Sequence, residues 1–135
     1  MNLIEQLKDK NYTLLASNGY FSYDNGIKPV ICKINEKKDY FSGLEVADKI
    51  IGKASAMLFA LSGIKRIDCM VLSKAGKDIL DKYNIEYTYE ELVEYIINRT
   101  KDDMCPMEKT VKDIYDLNIA YEALNNKVKE LRNEK

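Results

Sequence analysis

The segment from Arg66 to Glu90 constrains the fold of this chain most. "RIDCMVLS", residues 66–73, is a nearly continuous apolar run, which is typical of a strand buried on both faces. Ser73 is a suitable N-cap for a helix over "KAGKDILDKYN", and "IEYTYE" at residues 85–90 alternates as a strand does. A strand, a helix and a strand in this order predict two parallel strands joined by a right-handed crossover.

A hairpin is predicted upstream of that unit. Asn18-Gly19 separates "YTLLAS" from "YFSY", and Asn-Gly between two β-rich runs favours a tight hairpin turn. Residues 12–17 and 20–24 are therefore predicted to form two antiparallel strands. A hairpin that leads into strand–helix units predicts an α/β fold: a three-layer αβα sandwich with a mixed β-sheet.

Several further segments are predicted to be helical from their apolar spacing. "LEVADKIIGKASAMLFALSG" is the longest apolar segment, and we interpret it as one buried helix that ends at Gly63. The other predicted helices are "NLIEQLK" near the start, "KPVICKINEKK" with Pro29 in its first turn, "ELVEYIINR" at residues 91–99, and a C-terminal tail over residues 106–133.

The whole chain, residues 1–135, is expected to be a single domain. Apolar residues of the tail recur at alternating spacings of three and four, with a break expected near Asp116. This stripe is too short to predict a coiled coil. We expect the tail to pack on its own domain, and the alternative is a homodimer contact through the same stripe.

The charge balance disfavours two classes of partner. The chain has 21 basic and 22 acidic residues, so its net charge of −1 creates no field that would attract nucleic acid or an anionic membrane. No apolar run approaches the length of a membrane span, and the first residues do not resemble a signal peptide. The three cysteines are widely spaced and odd in number, which indicates a reducing cytoplasm.

The chain contains no histidine, and this narrows the chemistry further. Serine or cysteine triads with a histidine base are excluded. No CxxC pair is present, so we expect neither a metal site nor a cofactor.

The stretch "ADKIIGKA" carries the first candidate site residues. Asp48 is interpreted as a helix cap, and Lys49 and Lys53 would lie one turn apart on one face. Two lysines in an otherwise apolar segment either extend to the surface or bind a phosphate or carboxylate, or one is kept uncharged by burial. Gly52 and the small residues after it allow a close approach of backbone.

Two further places offer polar groups where ligands usually bind in open α/β sheets, beside helix N-termini. Ser73 caps a helix, and its hydroxyl is also suited to receive an anion. In "NRTKDDMCPME", Pro106 and Glu108 are typical of a helix start, which leaves Cys105 at the N-cap. The positive helix end would favour a thiolate, and Asn98 and Arg99 are candidates to bind a ligand or its phosphate.

The order of elements and the run from "ADKIIGKA" to "NIEY" resemble the cytidine deaminase-like superfamily, although Asp48, Lys49 and "LSKAG" stand where its zinc motifs would be. "DKIIGKASA", "LSKAG" and "IINRTKDDMCPMEKTV" resemble the family named domain of unknown function 1893 more closely, over residues 10–125. The resemblance implies a deaminase-like αβα sandwich without a known reaction. It also implies one cleft lined by Asp48, Lys49, Gly52, Lys53, Ser73, Asn98, Arg99, Cys105 and Glu108.

Three functions remain open from the sequence. The first is the binding of a small anionic, nucleotide-like molecule in the former active-site cleft. The second is a cysteine-dependent enzyme, with Cys105 as nucleophile or as sulfur or redox carrier and with Lys53 and Asp48 as its catalytic partners. The third is a structural subunit that dimerises through the tail.

Overall fold

The computed structural model describes residues 2–97 and 103–133. This part of the chain forms a sheet covered by helices. The strands are β1 (Leu14–Ala16), β2 (Phe21–Ser22), β3 (Glu45–Ile51), β4 (Arg66–Ser73) and β5 (Glu86–Val93). The helices are α1 (Leu3–Lys10), α2 (Lys28–Glu36), α3 (Lys53–Ser62), α4 (Lys74–Lys82), α5 (Pro106–Val111) and α6 (Leu117–Asn133).

The strand order in the sheet is β2-β1-β3-β4-β5. β1 runs antiparallel to both of its neighbours, whereas β3, β4 and β5 are parallel. The predicted mixed sheet and α/β class are therefore confirmed. Because the three parallel strands point the same way, their carboxyl ends lie at one edge of the sheet, where α3 and α4 begin.

The predicted hairpin and three predicted helices are present. β1 and β2 are shorter than the predicted strands, and Gly19 in their turn has a φ of +95°. α1 and α2 confirm the helices predicted near the start and at Pro29. In α4, the Ser73 hydroxyl accepts a hydrogen bond from the Gly76 N–H at 3.0 Å, which confirms the predicted cap.

The single long helix predicted over residues 44–63 is wrong. Glu45–Ile51 is the strand β3, and the helix α3 begins only after Gly52. β3 lies between β1 and β4 and is buried along most of its length, so apolar side chains occur on both of its faces and do not alternate regularly with polar ones. A short apolar run of this kind has the same pattern in a buried strand and in a buried helix, which explains the error.

The helix predicted over residues 91–99 is also wrong. Glu91–Val93 continues β5, and Ile97 pairs with Met104 in an isolated antiparallel bridge. Asn98 and Arg99 lie outside the described residues. The segment mixes charged and apolar residues, with Glu91 and Glu94 three positions apart, and that spacing also fits a helix period.

Helices cover the sheet on both sides. Val46 and Ala47 are neighbours on β3 and therefore point to opposite faces. Ala47 packs with Leu7 of α1 and Leu15, whereas Val46 belongs to the larger core cluster with α2, α3 and α6. In the described ranges, no helix has the length and apolar character needed to cross a membrane.

The tail packs on its own domain, as expected. It consists of α5 and α6, and Asp116 separates them by accepting a hydrogen bond from the Ile119 N–H at 2.9 Å. Leu124 of the apolar stripe is completely buried in the core, as is Ala120 on the same helix. Part of the stripe is thus used within the chain, and the alternative homodimer contact stays a prediction.

Candidate functional site

The carboxyl end of β3 opens into a cleft of about 620 Å³, which we call the main cleft. β3 has an antiparallel neighbour on one side and a parallel neighbour on the other. Ligands of open α/β sheets commonly bind outside the carboxyl ends of the strands, which is where this cleft lies. The walls come from β1, the loop at residues 24–29, β3, the start of α3, residues 96–97, the start of α5 and Leu131 of α6. Most of these side chains are apolar.

Five of the predicted site residues line the main cleft. They are Asp48, Lys49, Gly52, Cys105 and Glu108. Lys53 and Ser73 instead line a separate space of about 150 Å³ between α3, α4 and α5, which we call the small cavity. Glu108 borders both spaces. The two other predicted residues, Asn98 and Arg99, are not among the described residues.

Asp48 lies within β3 and does not cap a helix, contrary to the sequence prediction. Its side chain is 8% exposed at the wall of the main cleft, and its Oδ1 accepts a hydrogen bond from the Ile50 N–H at 3.2 Å. Burial raises the pKa of Asp48 to about 8, although backbone N–H groups of Ile50 and Lys49 oppose the shift. At neutral pH the carboxyl is therefore mostly protonated.

Lys49 does not share a face with Lys53, because the segment between them is a strand and a helix start. Lys49 follows Asp48 on β3, so the two side chains point to opposite faces of the sheet. The Lys49 Nζ donates a hydrogen bond to the Asn11 Oδ1 at 2.9 Å, at the end of α1. Lys49 therefore lies at the rim of the main cleft and away from the Asp48 carboxyl.

Glu108 holds the N-terminus of α3. Its Oε1 accepts a hydrogen bond from the Lys53 N–H at 2.6 Å, and its Oε2 accepts one from the Ala54 N–H at 2.9 Å. Gly52 is the N-cap of α3 and has no side chain to offer, so a carboxylate from α5 supplies the cap. Burial raises the pKa of Glu108, and the two N–H groups and Lys53 oppose that shift.

The absence of a side chain at Gly52 makes this contact available. A Cβ at position 52 would lie 2.2 Å from the Glu108 Oε1 and 2.8 Å from the Ile96 Cγ1. On the other side, a Cβ at Gly76 of α4 would lie 3.0 Å from the Gly52 carbonyl carbon. Gly52 and Gly76 therefore allow α3, α4 and the Glu108 carboxylate to pack closely together. This close packing is a structural reason for a glycine at each of the two positions.

Lys53 makes a second link between α3 and α5. Its side chain is 5% exposed, and its Nζ donates to the Lys112 carbonyl oxygen at 2.9 Å and lies 4.0 Å from the centre of the Tyr115 ring. Burial lowers the pKa of Lys53, while Asp113 and Glu108 oppose the shift. The amine faces the small cavity, so it is not positioned to activate a group in the main cleft.

The three thiols differ in their surroundings. Cys105 is the N-cap of α5, as predicted; it is partly exposed, makes no side-chain capping bond, and lines the main cleft. Cys69 is buried beside Asp48, and burial, with a smaller contribution from that carboxylate, raises the pKa of its thiol to about 12. Cys32 is exposed on α2. Cys105 is thus the cysteine that a molecule in the cleft would meet.

The sequence analysis did not identify some residues of the two spaces. Ser55 and the loop at Asp24-Asn25 line the main cleft, and Tyr115 lines the small cavity. The turn chemistry of "DNG" indicated a loop there, but the strand order was needed to bring it beside β3. Among the described residues, no three histidine, cysteine, aspartate or glutamate side chains converge as metal ligands do.

Comparisons with known proteins give a family and a related structure. The family model described as "Domain of unknown function (DUF1893)" matches residues 2–128. A crystal structure of a DUF1893 family protein from Thermotoga maritima aligns with a TM-score of 0.83 and 28% identity, covering 91% of this chain and 85% of that chain. A search of curated proteins found no match.

The Glu108 cap predicts a stability change on substitution. In Glu108→Gln, an amide NH₂ replaces one acceptor oxygen and the negative charge is lost, so we expect a loss of about 2 kcal/mol in the free energy of unfolding. Glu94→Gln is the control, because Glu94 pairs with Lys74 on the surface, and we expect a change below about 1 kcal/mol. Urea unfolding measures both values, and equal losses would contradict the assignment of Glu108 as a cap.

The raised pKa of Asp48 predicts a pH dependence of stability. In the folded chain Asp48 keeps its proton up to about pH 8. In the unfolded chain the pKa of this carboxyl has its ordinary value of 3.8, so the proton is released at lower pH. The free energy of unfolding should therefore fall between pH 5 and pH 8, by up to about 4 kcal/mol. The chain has no histidine, so few other groups titrate in this range. Asp48→Asn should remove most of the decline in urea unfolding curves, and an unchanged slope would contradict the assignment.

Proposed function

We propose that this chain, which belongs to the DUF1893 family, binds a small ring-bearing molecule in the main cleft. The observation that carries the proposal is the combination of a cleft of about 620 Å³ with a buried carboxyl, Asp48, on an otherwise largely apolar wall. Small-molecule sites typically combine apolar walls with a few polar groups that fix the orientation of the ligand.

The nucleotide-like ligand predicted from the sequence is retained in a modified form. The N–H groups of Lys53 and Ala54 already bind Glu108, so they are not free to receive a phosphate. Lys49 is the only cation among the described residues that line the main cleft, and it lies at the rim. We therefore propose that a ring enters the cleft and that an anionic group, where the ligand has one, remains near Lys49.

A relationship to the cytidine deaminase-like superfamily is part of this proposal. In its support, a hairpin precedes two strand–helix–strand units, and the cleft lies at the carboxyl end of β3 beside the start of α3. In the sequence pattern of that superfamily, zinc ligands and a glutamate belong near this place. Here Asp48, Lys49 and "LSKAG" stand there instead, so we propose a binding function without zinc chemistry.

A block at the mouth of the cleft tests the proposal. Asn25 is an exposed residue of the lining, and in Asn25→Trp an indole would occupy the entrance without disturbing the core. Nucleosides and nucleotides that raise the melting temperature of the wild-type protein should lose at least about tenfold in affinity with this variant. Asn126→Trp is the control, because it adds the same side chain to an exposed position of α6 away from the cleft. Equal binding by both variants would contradict the proposal.

Cysteine chemistry is the second candidate function, because Cys105 is a partly exposed thiol at the wall of the main cleft. In this case Cys105 acts as the nucleophile or as a carrier of sulfur or electrons. Lys53 is not available as its activator, since that amine binds the Lys112 carbonyl oxygen in the small cavity. Among the described residues of the lining, Asp48 is then proposed as the activating group.

Alkylation tests this second candidate. Native protein treated with iodoacetamide at pH 7 should be modified at Cys105 and Cys32, while buried Cys69 with a pKa of about 12 stays protected. If Cys105 is catalytic, it should react several-fold faster than the exposed Cys32, as followed by peptide mass spectrometry. Equal rates, together with ligand binding that survives Cys105→Ser, would rule out cysteine catalysis and leave the binding function in place.

A further inference from the structure

Asp48 is a buried carboxyl that has no paired cation among residues 2–97 and 103–133. Its side chain is 92% buried, as its 8% exposure implies, and it lines the main cleft. Among residues 2–97 and 103–133, no lysine or arginine nitrogen forms an ion pair with it, and its hydrogen bond comes from the Ile50 backbone. A carboxyl in this position usually has a partner, because an unpaired buried charge is strongly unfavourable.

The two nearest lysines in the sequence are both engaged elsewhere. Lys49 points to the opposite face of β3 and binds Asn11. Lys53 binds the Lys112 carbonyl oxygen and lies over the Tyr115 ring. Neither of these two amines is therefore placed to pair with the Asp48 carboxyl.

We infer that the ligand of the main cleft carries a protonated nitrogen group, an amine or an amidine, that pairs with the Asp48 carboxylate while its ring packs on the apolar wall. The inference rests on the proposed function and deepens it by naming the chemical class of the ligand. A planar amidine suits a carboxylate because it donates two parallel hydrogen bonds to the two oxygens.

Other groups around the cleft agree with a cation. Asp24 and Glu108 add negative charge to the lining, and Lys49 at the rim is the one positive side chain among its described residues. The neighbouring strand β4 contributes Cys69, which pairs in register with Asp48 and stays uncharged because its pKa is about 12. Leu14 of β1 and Thr13 just before it carry no charge. At the start of α5, the other polar group of the lining is the thiol of the N-cap Cys105.

Binding of a cation is coupled to the release of one proton. Near neutral pH the free site holds Asp48 as a carboxylic acid, since its pKa is about 8. The cation binds the carboxylate, the Asp48 proton leaves to solvent, and the charge of the complex balances. Affinity should therefore rise about tenfold per pH unit between pH 6 and pH 7 and become constant above about pH 8.

Three probes of nearly the same shape separate the ligand classes: benzamidine is cationic, benzamide is neutral and benzoate is anionic. Titration of ¹⁵N-labelled protein, followed by NMR, gives the dissociation constant of each. We expect benzamidine to bind at least about tenfold more tightly than benzamide at pH 8, with the largest shifts at residues of the main cleft. In wild-type protein, the ¹³C resonance of the Asp48 carboxyl should titrate at lower pH when benzamidine is present.

Asp48→Asn should abolish the preference for benzamidine, because it keeps the shape of the side chain and removes its ability to become charged. Asp78→Asn is the matched control; it makes the same chemical change at an acid that lines the small cavity, and the preference should remain. The carboxyl titration of the wild-type protein provides a test that does not depend on the folding of either variant.

The inference is overturned if benzamide or benzoate binds as tightly as benzamidine, or if the Asp48 titration does not respond to benzamidine. Binding of all three probes in the cleft without preference would leave the proposed function standing. Absence of benzamidine binding would overturn the inference alone, because the proposed function is decided by the nucleoside and nucleotide titrations and the block at Asn25.

Discussion

The Glu108 carboxylate on the N-terminus of α3 is the interaction on which the rest of the site depends. It connects two segments separated by 55 positions, and it satisfies two of the N–H groups that a helix start leaves unpaired. The Lys53 amine adds a second link by binding the carbonyl oxygen just after α5. Together these bonds fix α5 against α3, and α5 forms a wall of the main cleft.

The same interaction explains why two spaces exist where the sequence predicted one. The start of α3 is suited to bind an anion, but the Glu108 carboxylate already occupies this position. Glu108 therefore separates the main cleft, with Asp48 and Cys105, from the small cavity, with Lys53 and Ser73. The motif residues Gly52, Lys53 and Glu108 thus have a common structural role.

The sequence predicts those parts of the fold that are determined by residues close together in the chain. The Asn18-Gly19 turn, the Ser73 cap and the Cys105 N-cap are set by neighbouring residues, and all three are present. The sequence does not reveal β3 because this central strand carries apolar residues on both faces, so its pattern lacks the strict alternation of a half-buried strand.

The site depends on contacts between distant parts of the chain, which spacing alone does not predict. Glu108 was interpreted as part of its own helix start, while its actual partners lie on α3. The prediction that Lys49 and Lys53 share a helical face is wrong, because Lys49 lies on a strand and Lys53 begins a helix. Once β3 is recognised, the alternation of a strand separates Asp48 from Lys49, and the charge pattern of the cleft changes from basic to acidic.

The two buried acids of the cleft illustrate what environment does to the same chemical group. Burial raises the pKa of both, but Glu108 has a backbone N–H on each oxygen and a helix N-terminus in front of it, which favour the charged form. Asp48 has a weaker backbone contact and no cation among the described residues. Glu108 is therefore suited to hold the structure together, whereas Asp48 is the group that we propose to bind the ligand. The N-terminus of α3 stabilises the charged form of Glu108, and a ligand with a positive charge would stabilise the charged form of Asp48 in the same way.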